Sequence, residues 1–301
     1  MMKLIFFTLF ILITGALEAI SQHDDYNEVE PRDTVVFRYK FNVGDTLYYR
    51  VVSHDSIIID YGEPLLKSRY ERIRITCDSI NDVNHYILGI TLVDYLAHES
   101  KGDVRGVRRE HSPWLDRTVW IEMDFYGNRY SYRIDDTSQA AMAPGSAFQP
   151  FLLINFVESH KAVNESWMVK DSIHIAENGY PPPVLRYSSL FRAKESIDTL
   201  GYMTNKAEYI RTAQGSMELI TDQQKIAVAS IHNSWGFINM SQELFIPVSL
   251  YQTSELKLNI QSPDQPDKPG WHYIEANYML DVYKPADPPD DADEDEGNSM
   301  E

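Results

Sequence analysis

Glu122 and Asp124 stand two residues apart in an alternating stretch, a spacing that puts two carboxylates on one face of a strand. Paired carboxylates are what glycoside hydrolysis requires, one as acid and the other as base or nucleophile. The same spacing is also ordinary for a strand face and the turn that follows it. Lys101, Arg105, Arg108, Arg109, His111 and Arg117 form the one basic concentration of the chain. Arg105, Arg108 and Arg109 are the candidate contacts for an anionic group such as a lipid headgroup or a polysaccharide carboxylate. The alternative is the solvated edge of a long hairpin, where arginines discourage strand-to-strand aggregation. Cys77 is the single cysteine, so no intramolecular disulfide can form. It alternates with Ile73 and Ile75, opposite Arg72, Arg74 and Thr76, and is expected to be a buried structural thiol with no histidine to activate it.

Six tripeptides that begin with aspartate fit the pattern acidic, hydroxyl, aliphatic, where composition predicts about one. Their hydroxyl residues are Thr34, Thr46, Ser56, Ser79, Ser172 and Thr199. The pattern resembles the acceptor for O-linked glycans on exported proteins of some gram-negative bacteria. Asp-Ser and Asp-Thr are equally ordinary turn chemistry leading into an aliphatic strand. No nucleophile elbow, zinc helix, phosphate loop or dinucleotide fingerprint is present, and the nine histidines are scattered. No catalytic, cofactor or metal residue is therefore assigned. Trp114, Trp120, Trp167, Trp235 and Trp271 have faces that stack on sugars, although such aromatics also fill β cores.

The elements that position these residues are strands. Val35, Phe37, Tyr39 and Phe41 alternate with polar neighbours, as do Tyr86, Leu88, Ile90 and Leu92, and later Leu256, Leu258 and Ile260. Period-two alternation without a sustained helical period predicts a mainly β fold of antiparallel sheets with one wet face. Asp124 to Asn128 and Asn233 to Gly236 read as tight hairpin turns, each with a glycine to take positive φ.

Residues 1–21 read as a secretory signal peptide, with Lys3 before an apolar run and Ala19-Ile20-Ser21 as the cleavage site. A flexible segment, 22–33, follows. Val43-Gly44-Asp45-Thr46-Leu47 is echoed by Val163-Asn164-Glu165-Ser166-Trp167. Arg69-Tyr70, Tyr86 and Tyr95 follow the first copy, whereas Arg186-Tyr187, Tyr202 and Tyr209 follow the second. The expectation is two duplicated open-barrel or half-barrel units, 34–139 and 163–284, joined by a crossover segment, 140–162. The crossover could plug an apolar cavity or merely bury its leucines as a connector. An acidic tail, 285–301, is expected to stay disordered. It supplies much of the net charge of -18, which excludes a nucleic-acid surface.

On the Tyr39-to-Asp45 opening and its Val163-to-Trp167 echo, the chain resembles a group of uncharacterised secreted bacterial β proteins. More distantly it resembles the open half-barrels of periplasmic lipoprotein carriers. These motifs are framework turns, so the resemblance implies a fold and transfers no site residue. Three functional expectations follow. The first is a non-enzymatic exported envelope protein, in the periplasm or at the cell surface, binding a lipid or lipidated envelope protein in a β groove. The second is a surface or assembly component that binds protein or glycan. The third is a carboxylate-dependent glycoside hydrolase. After signal cleavage the chain is not expected to be an integral membrane protein.

Overall fold

The computed structural model describes residues 34–112, 114–134, 152–157, 160–174, 184–220, 225–263 and 265–286. The expected signal peptide, the 22–33 segment, the acidic run of the tail and most of the crossover lie outside the described residues. Within them the chain forms strands and no helix. These are β1 (Thr34–Val36), β2 (Thr46–Ile59), β3 (Leu65–Ile80), β4 (Tyr86–Lys101), β5 (Val104–Arg109), β6 (Thr118–Met123), β7 (Arg129–Ile134) and β8 (His160–Ala162). They continue as β9 (Ser166–His174), β10 (Val184–Ala193), β11 (Ile197–Thr199), β12 (Tyr202–Ile220), β13 (Lys225–Ser241), β14 (Pro247–Gln261) and β15 (Lys268–Lys284).

Thirteen strands build one antiparallel sheet in the order β7-β6-β4-β3-β2-β15-β14-β13-β12-β10-β9, with β5 against β4 and β11 against β12. The sheet is not closed into a barrel. Both halves of the sequence lie in it, because β15 returns to pair with β2.

The two echoing segments make the same turn. Gly44 N–H donates to Cys77 O and Cys77 N–H to Asp45 O, while Asn164 N–H donates to Ala193 O and Ala193 N–H to Glu165 O. Each turn's acid also accepts a backbone N–H three residues back, Asn42 to Asp45 at 2.7 Å and Ala162 to Glu165 at 2.9 Å. Gly44 has φ +95° and Asn164 φ +69°, the left-handed region that glycine and asparagine tolerate. The Arg-Tyr pairs do not correspond in the same way. Arg69 and Tyr187 face the interior, whereas Tyr70 and Arg186 face solvent, so that match is slipped by one residue and inverts the faces.

The first hairpin turn forms as expected, with Gly127 at φ +88° between β6 and β7. The second does not. Asn233 to Gly236 lies inside β13, where Gly236 pairs with Tyr209 on one side and Gln252 on the other. A Cβ there would meet the Tyr251 carbonyl oxygen and come within 2.9 Å of the Tyr209 hydroxyl. The glycine thus serves close approach in a strand interior and not a turn.

Val35, Phe37, Tyr39 and Phe41 are all buried, as their alternation predicts, yet only the first lies in a strand. The rest run through the interior, where Tyr39 N–H donates to Phe125 O and Lys40 N–H to Phe245 O. Around them packs an aromatic core in which Phe37 stacks on Phe156 at 5.3 Å and Trp167 on Phe191 at 5.2 Å. Residues 152–157 join the two edges of the sheet. Arg129 of β7 donates to Leu153 O at 2.6 Å, and Trp167 Nε1 of β9 donates to Phe156 O at 3.0 Å.

Candidate functional site

The residues singled out from the sequence do not converge. Glu122 accepts from Asn81, His85 and Ser131, and these bonds, His85 foremost, hold its carboxyl below the usual range. Asp124 lies past the end of β6 and caps the turn, accepting from the N–H groups of Tyr126 and Asn128 and from the Tyr130 hydroxyl. Both carboxylates are committed to local structure. Arg108 and Arg109 are neighbours on β5, so they project to opposite faces. Each has its own carboxylate, Glu110 at 2.5 Å and Glu99 at 3.2 Å, and Arg105 is exposed on the same strand. Cys77 is buried, and burial first, then Asp45 and Asp78, pushes its thiol up to about 12. Of the hydroxyl residues, Thr34, Ser79 and Ser172 are exposed, while Thr46, Ser56 and Thr199 are half-buried in strands. No group of metal-ligating side chains occurs among the described residues, and no helix there is long and apolar enough to cross a membrane.

Two assemblies emerge that no local motif announces. The first is an interior charge network. Arg69 of β3 forks onto Asp55 of β2 at 2.8 and 3.1 Å and reaches Glu71 at 3.2 Å. His272 Nε2 of β15 lies 3.0 Å from Asp55 Oδ1. Burial would raise the Asp55 carboxyl, but His272 and Arg69 outweigh it and hold the group below its ordinary value. Both Asp55 oxygens are thereby hydrogen-bonded, and His272 is 2% exposed.

His232 lies nearby in β13, buried, and burial together with the neighbouring His272 lowers its pKa to about 4. Its folded-state value is below the unfolded one, so unfolding takes up a proton and stability falls as pH drops from about 6.5 to about 4. The loss expected from this group is about 3 kcal/mol. Thermal melts should show wild type losing stability relative to His232→Gln as pH is lowered through this window.

The second assembly is an open groove of about 850 Å³ on the outward face. Two registered rows of side chains form its walls. One runs Ser68, His54, Glu275, Thr253, Trp235, Ile210 and the other Leu66, Ser56, Tyr273, Glu255, Asn233, Thr212, each crossing β3, β2, β15, β14, β13 and β12. Asp55, Ser254 and Ile274 also border it. With Lys67, Ser234 and Arg211, which line it too, they form the row between the two walls, and strand alternation turns the side chains of that row to the opposite face of the sheet. They therefore contribute backbone to its floor. Six strands about 4.8 Å apart make the groove about 24 Å long. Leu66, Ile210, Trp235 and Tyr273 are 44–59% exposed. The Trp235 ring leans on Tyr251 at 5.5 Å, and the Tyr251 hydroxyl donates to Glu275 at 3.0 Å.

Residue type alone does not rank the five tryptophans. The structure separates them, with Trp114 and Trp167 in the core and Trp235 half exposed in the groove wall. A sequence signal did exist, because Ile231, Asn233 and Trp235 alternate with His232 and Ser234.

No family model matches the chain, and no curated protein matches it. Among solved structures it is similar to a protein assigned as exported, with a YmcC-like fold, from Bacteroides fragilis NCTC 9343. Identity is 9%, coverage 83% of this chain and 99% of that one, and the TM-score 0.26. It is also similar to a loop-deletion mutant of OmpT, an outer membrane protein of Vibrio cholerae, at 8% identity, 79% and 100% coverage and a TM-score of 0.20. These weak neighbours are exported or outer-membrane β proteins, and the likeness carries no site residue.

Proposed function

We propose that the protein is a non-enzymatic, exported envelope component that binds an extended glycan in the outward groove. The observation that carries this reading is the composition of the groove walls. Trp235 and Tyr273 offer aromatic faces for the C–H faces of sugar rings, and Glu255, Glu275, Asn233, Thr253 and His54 offer donors and acceptors for hydroxyl groups. The volume lies within the range typical of ligand sites. The interior supports an apolar ligand less well, because its described part is filled by the aromatic core and the Asp55 network. Duplication of an ancestral unit belongs to the same proposal and is supported by the matched turns at Gly44 and Asn164.

Affinity electrophoresis of the full chain through gels containing soluble polysaccharides tests the reading. A retarding polysaccharide is expected, and Tyr273→Ala should weaken retardation about fivefold or more, the stacking contribution of one aromatic ring. Equal mobility of wild type in every polysaccharide would remove the proposal. Glu255 and Glu275 are diagonal neighbours on one face, so release of reducing ends from a retarding polysaccharide would replace binding by hydrolysis.

A further inference from the structure

The row that contains Trp235 and Ile210 continues beyond the groove. Ile210 of β12 pairs directly with Leu190 of β10, and Leu190 with Met168 of β9. Met168, Leu190, Ile210 and Trp235 are 58%, 42%, 59% and 51% exposed. Exposed apolar side chains scattered singly are ordinary on a protein surface. Four in register on adjacent strands are not scattered, because directly paired side chains on a sheet touch.

The charge around this stripe is opposite to that of the chain. Lys170 follows Met168 on the same face of β9, and Arg186 and Arg192 flank Leu190 on the same face of β10. All three are exposed and enter no ion pair among the described residues. On β12 Lys206 lies over the Phe237 ring at 4.5 Å. Glu208, opposite Arg192, is held by Lys194 at 3.0 Å and Lys206 at 3.6 Å. A chain of net charge -18 thus presents a cationic rim around an apolar stripe at one end of its sheet.

We infer that this face is a docking surface for an anionic phospholipid bilayer. Apolar side chains entering the headgroup boundary, ringed by lysine and arginine facing lipid phosphates, are the combination that gives peripheral adsorption. Met168 and Leu190, which lie beyond the groove, are the side chains that enter the boundary, with Trp235 at its edge. The groove would then open beside the membrane surface.

The test is flotation of the full chain with vesicles of phosphatidylcholine alone and of phosphatidylcholine with phosphatidylglycerol. The expected result is flotation with the anionic vesicles, release at high salt, and a blue shift of tryptophan emission on binding. The double variant Arg186→Glu, Arg192→Glu should lower partitioning by at least about tenfold, each lost cation being worth about fivefold near an anionic surface. Leu190→Glu should abolish it. Both variants alter exposed side chains, and unchanged thermal melts would show that the fold is retained. A wild-type chain that does not float, that floats equally with phosphatidylcholine alone, or that floats undiminished in both variants overturns the inference. A doubled mass in solution that Leu190→Glu halves would also overturn it, by assigning the face to a second copy of the chain.

Discussion

Replacing Arg69 with methionine is expected to cost the fold about 3–5 kcal/mol at neutral pH, because it leaves the buried Asp55 and Glu71 without their shared cation. Arg69 is 7% exposed, Asp55 5% and Glu71 8%, so water cannot take over the guanidinium's role. Urea unfolding at pH 7 measures the loss. The pH dependence separates charge from packing. Burial raises the Glu71 carboxyl and Arg69 only partly offsets this, so Glu71 takes up a proton more readily in the fold than in the unfolded chain, and the strain its charge adds eases as pH falls. Asp55 behaves oppositely, since its carboxyl is held low by His272 and Arg69. Its contribution is present above the unfolded carboxylate value and is lost as pH falls through the lower folded one. Once Arg69 is removed, both acids gain from protonation, and the gap between Arg69→Met and wild type should narrow as pH is lowered toward 4. A gap constant with pH would mean that lost packing and not unpaired charge is responsible. The triple change Arg69→Met, Asp55→Asn, Glu71→Gln should recover a large part of the loss.

Gly127→Ala should cost the fold about 3 kcal/mol or more. Two costs combine. At φ +88° any side chain is strained, and a Cβ would collide with the Ile154 carbonyl oxygen and come within 3.0 Å of the Tyr39 ring. That carbonyl also accepts the Tyr39 hydroxyl at 2.9 Å, so the collision dislodges the segment that joins the sheet's two edges. Gly106 is the control, with φ +62° and nothing near its missing Cβ. Gly106→Ala should cost only about 1 kcal/mol, the backbone strain alone. Equal losses in chemical denaturation would remove the steric part of the argument.

The strands were legible in the sequence where one face is buried and the other wet. Ile73 to Cys77 buries the predicted face, whereas Val35 to Phe41 buries its alternating side chains although only Val35 lies in a strand, and β4 buries Gly89 and Thr91 as well as Leu88, Ile90 and Leu92. The signal failed at Asn233-Ser234-Trp235-Gly236, because turn-forming residues also occur where a strand must admit a neighbour's side chain, here Tyr209. The groove was not legible for a different reason. Its walls draw on residues from His54 to Glu275, brought together by six strands whose alignment depends on the pairing of β15 with β2. No short spacing encodes that alignment. The interior network was hidden similarly, since Asp55 reads locally as the start of an acidic, hydroxyl, aliphatic tripeptide and its partners are Arg69 and His272.

The pairing of β15 with β2 also dictates when this molecule can finish folding. β2 sits in the middle of the sheet, yet one of its two neighbours is the last described strand to be synthesised. The contact between Arg72 and Asp281 shows how much chain must be made before that seam is sealed. During synthesis the N-terminal strands can form a meander early, but Thr46–Ile59 then presents a long bare edge. Such an edge invites pairing with the wrong chain. The β2–β15 seam can therefore close only after residue 284 has been made, and folding is slow for a protein so rich in distant contacts.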